Sequence, residues 1–170
     1  MNLKILCGKE NIKKFEKLSD LETFYKKDDI LIQGDNDLNF CNYSDDKKYF
    51  IFGRTVGIRE NNNSLQSVNN ESPDLKKAIL NKSFEELLKR IEGRFILIKI
   101  EKSKVEIGCD QFGQIDLYYE KINDGLVLSS NLDLLPFTNS PNLIQYDQAA
   151  ILHTIYVYGF RPPKKHTLYK

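Results

Sequence analysis

The chain has 170 residues, 41% of them hydrophobic and 29% charged, with a formal net charge of +1. That length suffices for one domain with a sizeable core, and the near-neutral charge gives no electrostatic reason to expect nucleic acid or an anionic membrane as partner. No apolar run approaches the roughly 20 residues of a spanning helix, and the apolar stretch at the N-terminus is too short for a signal peptide.

Residues 3–7 read as a short strand. A helical pattern follows, with Ile12, Phe15, Leu18 and Leu21 on one face, and Asp28-Asp29 is expected to end it. Residues 30–32, 38–40 and 49–52 read as strands separated by Asp, Asn and Gly turn residues. The Asn- and Ser-rich stretch 60–72 reads as a flexible surface loop. Pro73 fits the first turn of a helix, where its missing N–H costs nothing. Ser83 and Glu86 have capping-box spacing, which predicts a helix to about residue 91 with Phe84, Leu87, Leu88 and Ile91 inward and Gly93 as its stop.

Beyond Gly93 the period changes. Residues 95–100, 104–109, 116–121 and 125–130 form four strand-like runs. The short turns at Lys102-Ser103 and Asn123-Asp124-Gly125 predict an antiparallel meander. A short helical turn is expected at 131–135, and Asp147 caps a last helix that Gly159 and Pro162-Pro163 end. Strand runs flanked by helices suggest a layered α+β domain. The three cysteines, Cys7, Cys41 and Cys109, are odd in number and form no CxxC pair. This argues for a reducing, cytoplasmic setting and against a disulfide framework or a zinc site. With only His153 and His166, a metal site built on imidazole is not expected.

An ordered set of motifs lies between residues 92 and 131. It comprises Gly93 and Phe95, then Asp110, Phe112 and Gly113, then Leu117-Tyr118-Tyr119, Asp124-Gly125-Leu126, Ser129-Ser130 and Leu135 just beyond. This set resembles the second half of the glutaminase domain of asparagine synthetases, a class II (type 2) glutamine amidotransferase domain. Asp147, Tyr158-Gly159-Phe160, Pro162 and Thr167-Leu168-Tyr169-Lys170 are similar to the helix and linker that lead into the synthetase half. The resemblance implies an αββα sandwich of the N-terminal nucleophile hydrolase type over residues 1–140, with 141–170 beginning the linker to a synthetase domain beyond the chain. In active members of that family a cysteine directly after the initiator Met attacks glutamine's side-chain amide, with its own α-amino group as base. An Asn-Gly pair opening an Asn-Gly-Glu-x-Tyr-Asn loop supplies donors for the oxyanion.

This chain departs from that pattern. Position 2 is Asn2, whose side chain is not a usable nucleophile. In the best register for the loop, Phe52-Gly53-Arg54-Thr55-Val56-Gly57, Phe52 replaces the oxyanion Asn and Arg54 replaces the Glu that binds glutamine's ammonium. Asp110 alone keeps its place for the ammonium contact. The N-terminal half is thereby more similar to that of β-lactam and carbapenam synthetases, which keep the sandwich without glutaminase activity.

The resemblance therefore implies a non-hydrolysing domain that docks against an ATP-dependent, amide-forming synthetase half, of the same or a partner chain. A homodimer is a further arrangement to consider. No Ser-Gly-Gly-x-Asp-Ser loop is present, so no cofactor is expected in this chain, and ATP and Mg belong to the synthetase half. Alternatives stay open at several residues. Cys7 precedes Gly8 as the nucleophile does in many amidotransferases and would act if six residues were removed; otherwise it is a small buried strand residue. Asp110 binds an ammonium or organises a turn by accepting backbone N–H bonds. Arg54, beside Gly53, is a surface charge or holds a carboxylate, which would make the domain an amino-acid-binding module. His153 reads as a packing or solvent-facing residue, and Lys164, Lys165 and His166 as a solvated linker. One of Tyr118 and Tyr119 belongs to the core.

Overall fold

A computed structural model describes residues 2–18, 20–35, 38–42, 47–60, 64–122 and 125–136. Among the described residues, ten strands and three α-helices form in the order β1 (Leu3–Cys7), α1 (Lys9–Phe15), β2 (Glu22–Lys27), β3 (Ile30–Gly34), β4 (Leu38–Asn42), β5 (Lys47–Arg59), β6 (Leu65–Ser67), α2 (Pro73–Asn81), α3 (Phe84–Arg90), β7 (Ile91–Glu101), β8 (Lys104–Cys109), β9 (Tyr118–Ile122) and β10 (Gly125–Ser129). The strands make two antiparallel sheets. The first has the order β2-β3-β1-β10-β9; the second has β4-β5-β7-β8, with β6 paired to β5. The protein is thus an α+β domain. No helix among the described residues is long and apolar enough to cross a membrane.

Strand alternation sorts the apolar residues into layers. On β1, Leu3 and Ile5 face one way and Leu6 the other, and all three are fully buried. Leu3, Ile5, Ile30, Ile32 and Leu128 of the first sheet meet Phe50, Phe52, Ile96, Ile98 and Ile100 of the second in one cluster. The opposite face of the second sheet, through Ile51, Ile58, Phe95 and Leu97, packs on Leu75, Ile79 and Leu87 of α2 and α3. The opposite face of the first sheet, through Leu6, Leu31 and Val127, packs on Ile12 and Phe15 of α1. Both sheets are therefore apolar on two faces, which explains the near-continuous hydrophobic runs of β3 and β7.

Several expectations change. The predicted helix through Leu21 ends earlier, since α1 gives way to a 3-10 turn over Glu16–Leu18. Residues 22–27 are strand, where Thr23, Phe24 and Tyr25 prefer the pleated surface. Asp28, at φ 51°, then makes a hairpin turn into β3 rather than a helix end. The stretch 60–72 is not all loop: it holds β6 and the buried Val68. Strand 49–52 is part of the first half of a 13-residue strand. Ser83 does cap α3, its hydroxyl accepting from the Glu86 N–H at 3.2 Å, but the helix stops at Arg90. Ile91 starts β7, which runs straight through Gly93.

The single meander is also divided. β7 and β8 form a hairpin in the second sheet, while β9 and β10 form one in the first. The crossing segment 110–117 joins them, anchored by Ile115, which is buried between the sheets. The helical turn at 131–135 is a 3-10 turn over Leu132–Leu134, with Asn131 Oδ1 accepting from Asp133 N–H. The last predicted helix, the 141–170 linker segment, Cys41 as a side chain, and His153 and His166 lie outside the described residues.

Candidate functional site

The register decides which expected site residues share an end of the molecule. The β2–β3 turn and the β7–β8 turn lie together: Tyr25, Lys27 and Asp28 line one cleft with Lys48, Lys102 and Ser103. Lys48 Nζ sits 5.0 Å above the Tyr25 ring, and that ring meets Phe50 edge-on at 5.8 Å. Cys7 pairs with Ile30 and so belongs to this end. Antiparallel pairing sends Asn2 to the other end of the first sheet. It also sends Gly53, Arg54 and Asp110 to the corresponding end of the second. With a strand rise near 3.4 Å per residue, Cys7 is about 17 Å along β1 from Asn2.

Asn2 is tied down rather than poised. Its backbone N–H donates to the Asp35 carboxylate at 2.5 Å, and its side-chain oxygen accepts from Asn131 Nδ2 at 3.4 Å. Next to it, Leu3 N–H donates to Ser130 Oγ at 2.8 Å, and Ser129 Oγ donates to Leu3 O at 2.9 Å. The side chain at this position is an amide, which is not a nucleophile.

Cys7 is half-buried, and burial with the nearby Asp29 charge raises its thiol pKa. Cys109 is raised likewise, by burial and by Asp110. Both shifts disfavour the reactive thiolate. Unmasking Cys7 would also delete Leu3, Lys4, Ile5 and Leu6, the centre of the first sheet between β3 and β10.

The expected oxyanion loop is not a loop. Residues 52–57 lie within β5. Gly53 has φ 99°, and a Cβ there would stand 2.4 Å from Arg94 O. Asn70, from the β6–α2 connection, clamps the backbone on both sides of Arg54. Its Nδ2 donates to Gly53 O at 2.7 Å, and its Oδ1 accepts from Thr55 N–H at 2.9 Å and Thr55 Oγ1 at 2.7 Å. Arg54 is exposed and stands directly opposite Arg94 on β7. Neither Arg94 nor Asn70 was picked out from the sequence. The chain holds two Gly-Arg dipeptides, Gly53-Arg54 and Gly93-Arg94, but only the β5–β7 pairing brings them together. Asn70 lay in a stretch read as loop.

Asp110 is 5% exposed. Its N–H donates to Phe95 O at 3.0 Å, which binds the crossing segment to β7. Its carboxylate accepts from Phe112 N–H at 3.0 Å and from Gln114 N–H at 3.2 Å, and its own carbonyl accepts from Gly113 N–H at 2.9 Å. The side chain thus organises the turn that leaves the Phe112 ring exposed. Tyr118 packs against the α1 face and Tyr119 is exposed, as alternation requires. No group of three or more His, Cys, Asp or Glu that could hold a metal occurs among the described residues. No protein-family model matches the chain, and no curated protein matches it.

Proposed function

We propose that this chain is a non-hydrolysing, glutaminase-like domain of an asparagine-synthetase-type enzyme, an αββα sandwich of the N-terminal nucleophile hydrolase type that docks on a synthetase half. One observation carries the reading. Two antiparallel sheets pack face to face with helices on both outer faces, and position 2, Asp110 and Arg54 share one end of that stack. Nucleophile hydrolysis of this type starts from position 2, at the mouth between the sheets. Asn2 removes the nucleophile there, and the Asp110 carboxylate is already occupied by backbone N–H groups.

What is left is a scaffold, which serves by packing against an ATP-dependent, amide-forming partner. ATP and magnesium act in that partner alone. The half-buried thiols of Cys7 and Cys109 fit a reducing cytoplasm. The test is the native reading frame together with an activity assay. A synthetase half encoded in the same frame or beside it, which co-purifies with this chain while the chain releases no ammonia from glutamine, is the expected result. Glutamine turnover by the purified chain, or no such half in or near the frame, overturns the reading.

A further inference from the structure

We propose that Arg54 and Arg94 together form a binding site for the oxyanion of a small molecule, a carboxylate or a phosphate group, at the end of the inter-sheet core. The two residues are direct cross-strand partners in the β5–β7 ladder. Strand alternation puts them on the face that carries Phe52 and Ile96, which are fully buried. Both arginines are themselves exposed. Two cations directly opposite each other repel, and a sheet gains nothing from holding them there.

No hydrogen bond or ion pair to either guanidinium occurs among the described residues, and Glu92 and Asp110 are engaged elsewhere. Glu92 bonds Arg59 at 2.6 Å and accepts from Gln111 at 3.3 Å. Asp110 is buried and accepts from Phe112 and Gln114.

The backbone around the pair is built to keep it close. Gly53 and Gly93 precede the two arginines, both at positive φ. A Cβ on Gly53 would meet Arg94 O at 2.4 Å, and one on Gly93 would meet Arg54 O at 2.3 Å. Glycine therefore permits an approach of β5 to β7 that no other residue allows. The Asn70 clamp on Gly53 and Thr55 then fixes the backbone from which Arg54 projects. Directly opposite side chains start about 5 Å apart at Cβ, a separation at which two planar guanidinium forks can share one planar carboxylate or one phosphate.

The experiment is thermal unfolding and calorimetric titration of the full chain with inorganic phosphate and, separately, with succinate, each against sodium chloride at matched ionic strength. Saturable stabilisation by phosphate or by succinate beyond the chloride control is expected, and the arm that responds identifies the anion. Arg54→Gln and Arg94→Gln should each weaken binding by about tenfold or more, the loss of a charge-assisted contact. Without anion they should melt no lower than the wild type, because repulsion is relieved. Arg94→Lys keeps the charge and should still weaken binding, because the fork is lost. Equal stabilisation by chloride, unaltered binding by the variants, or the same drop in melting temperature with and without anion overturns the site.

Discussion

Lys4 sits in the middle of the first sheet with 1% of its surface exposed. Its Nζ donates to Phe15 O at 2.7 Å, at the C-terminal end of α1, and its cross-strand neighbour Gln33 donates to Glu16 O at 3.2 Å. Together they satisfy carbonyls that the end of the helix leaves open. Burial lowers the Lys4 pKa from its ordinary 10.5. The unfolded chain therefore binds the proton more tightly than the folded one, and stability rises as pH climbs toward 10.5. Lys4→Met removes that dependence, so denaturant unfolding of the two proteins from pH 7 to 10.5 should show the wild type gaining on the variant. Gly93 is a residue of the opposite kind, important for what it lacks. Gly93→Ala forces a methyl into Arg54 O at φ 148°. It should cost about 2–3 kcal/mol, the strain of a backbone that side chains rarely adopt plus the clash, measured as a drop in the unfolding midpoint at unchanged slope.

Elements differ in how openly the sequence announced them. β1, α3 and the β7–β8 hairpin were legible, because Leu-Lys-Ile-Leu-Cys, the Ser83–Glu86 spacing and the run from Phe95 to Ile100 each satisfy one local rule. β2 was not. Its alternation is broken by a register shift between Thr23 and Tyr25, and Leu21 continues the helical spacing into it. The division of the last four strands between sheets was hidden for another reason. Nothing in a run of strands says which edge the chain crosses to, and here the crossing depends on the Asp110 turn and on Ile115. The residues at this end of the second sheet differ in the same way. Arg54, Gly53 and Asp110 were found by their neighbours in sequence, whereas Arg94 and Asn70 matter only through pairing across strands.

The polar end of the second sheet carries its own charge ladder. Lys99 bonds Glu101 and Glu106, both at 2.8 Å, and Lys104 bonds Glu106 at 2.9 Å. Hydrogen bonds from Lys99 and Lys104 hold the Glu106 pKa at about 2, against an ordinary 4.5. A lowered folded-state pKa means this contribution is complete above 4.5 and is lost as pH falls toward 2. Glu106→Gln should therefore be less stable than wild type at neutral pH and match it near pH 2, in paired acid-denaturation curves.

At the scale of the molecule, β1 is the strand on which the first sheet closes. A chain beginning at Cys7 would lose Leu3, Ile5 and Leu6, all fully buried. At about 1.5–3 kcal/mol each, the loss is roughly 5–9 kcal/mol, comparable with the lower part of the roughly 5–15 kcal/mol margin of a typical domain, before the lost ladder bonds are counted. Such a variant should show no near-ultraviolet circular dichroism and no cooperative melt. A folded protein with glutaminase activity would make Cys7 a working nucleophile after all.

The pairing of β1 with β10 also sets a timetable. During synthesis β1 finds β3 within thirty residues of chain, but Leu3 bonds Ser130, 127 positions later. At 5–20 residues per second the nascent strand waits roughly 6–25 s for its second neighbour. Through that interval the growing polypeptide carries an apolar, half-paired edge beside the ribosome, the kind of surface that other chains add to.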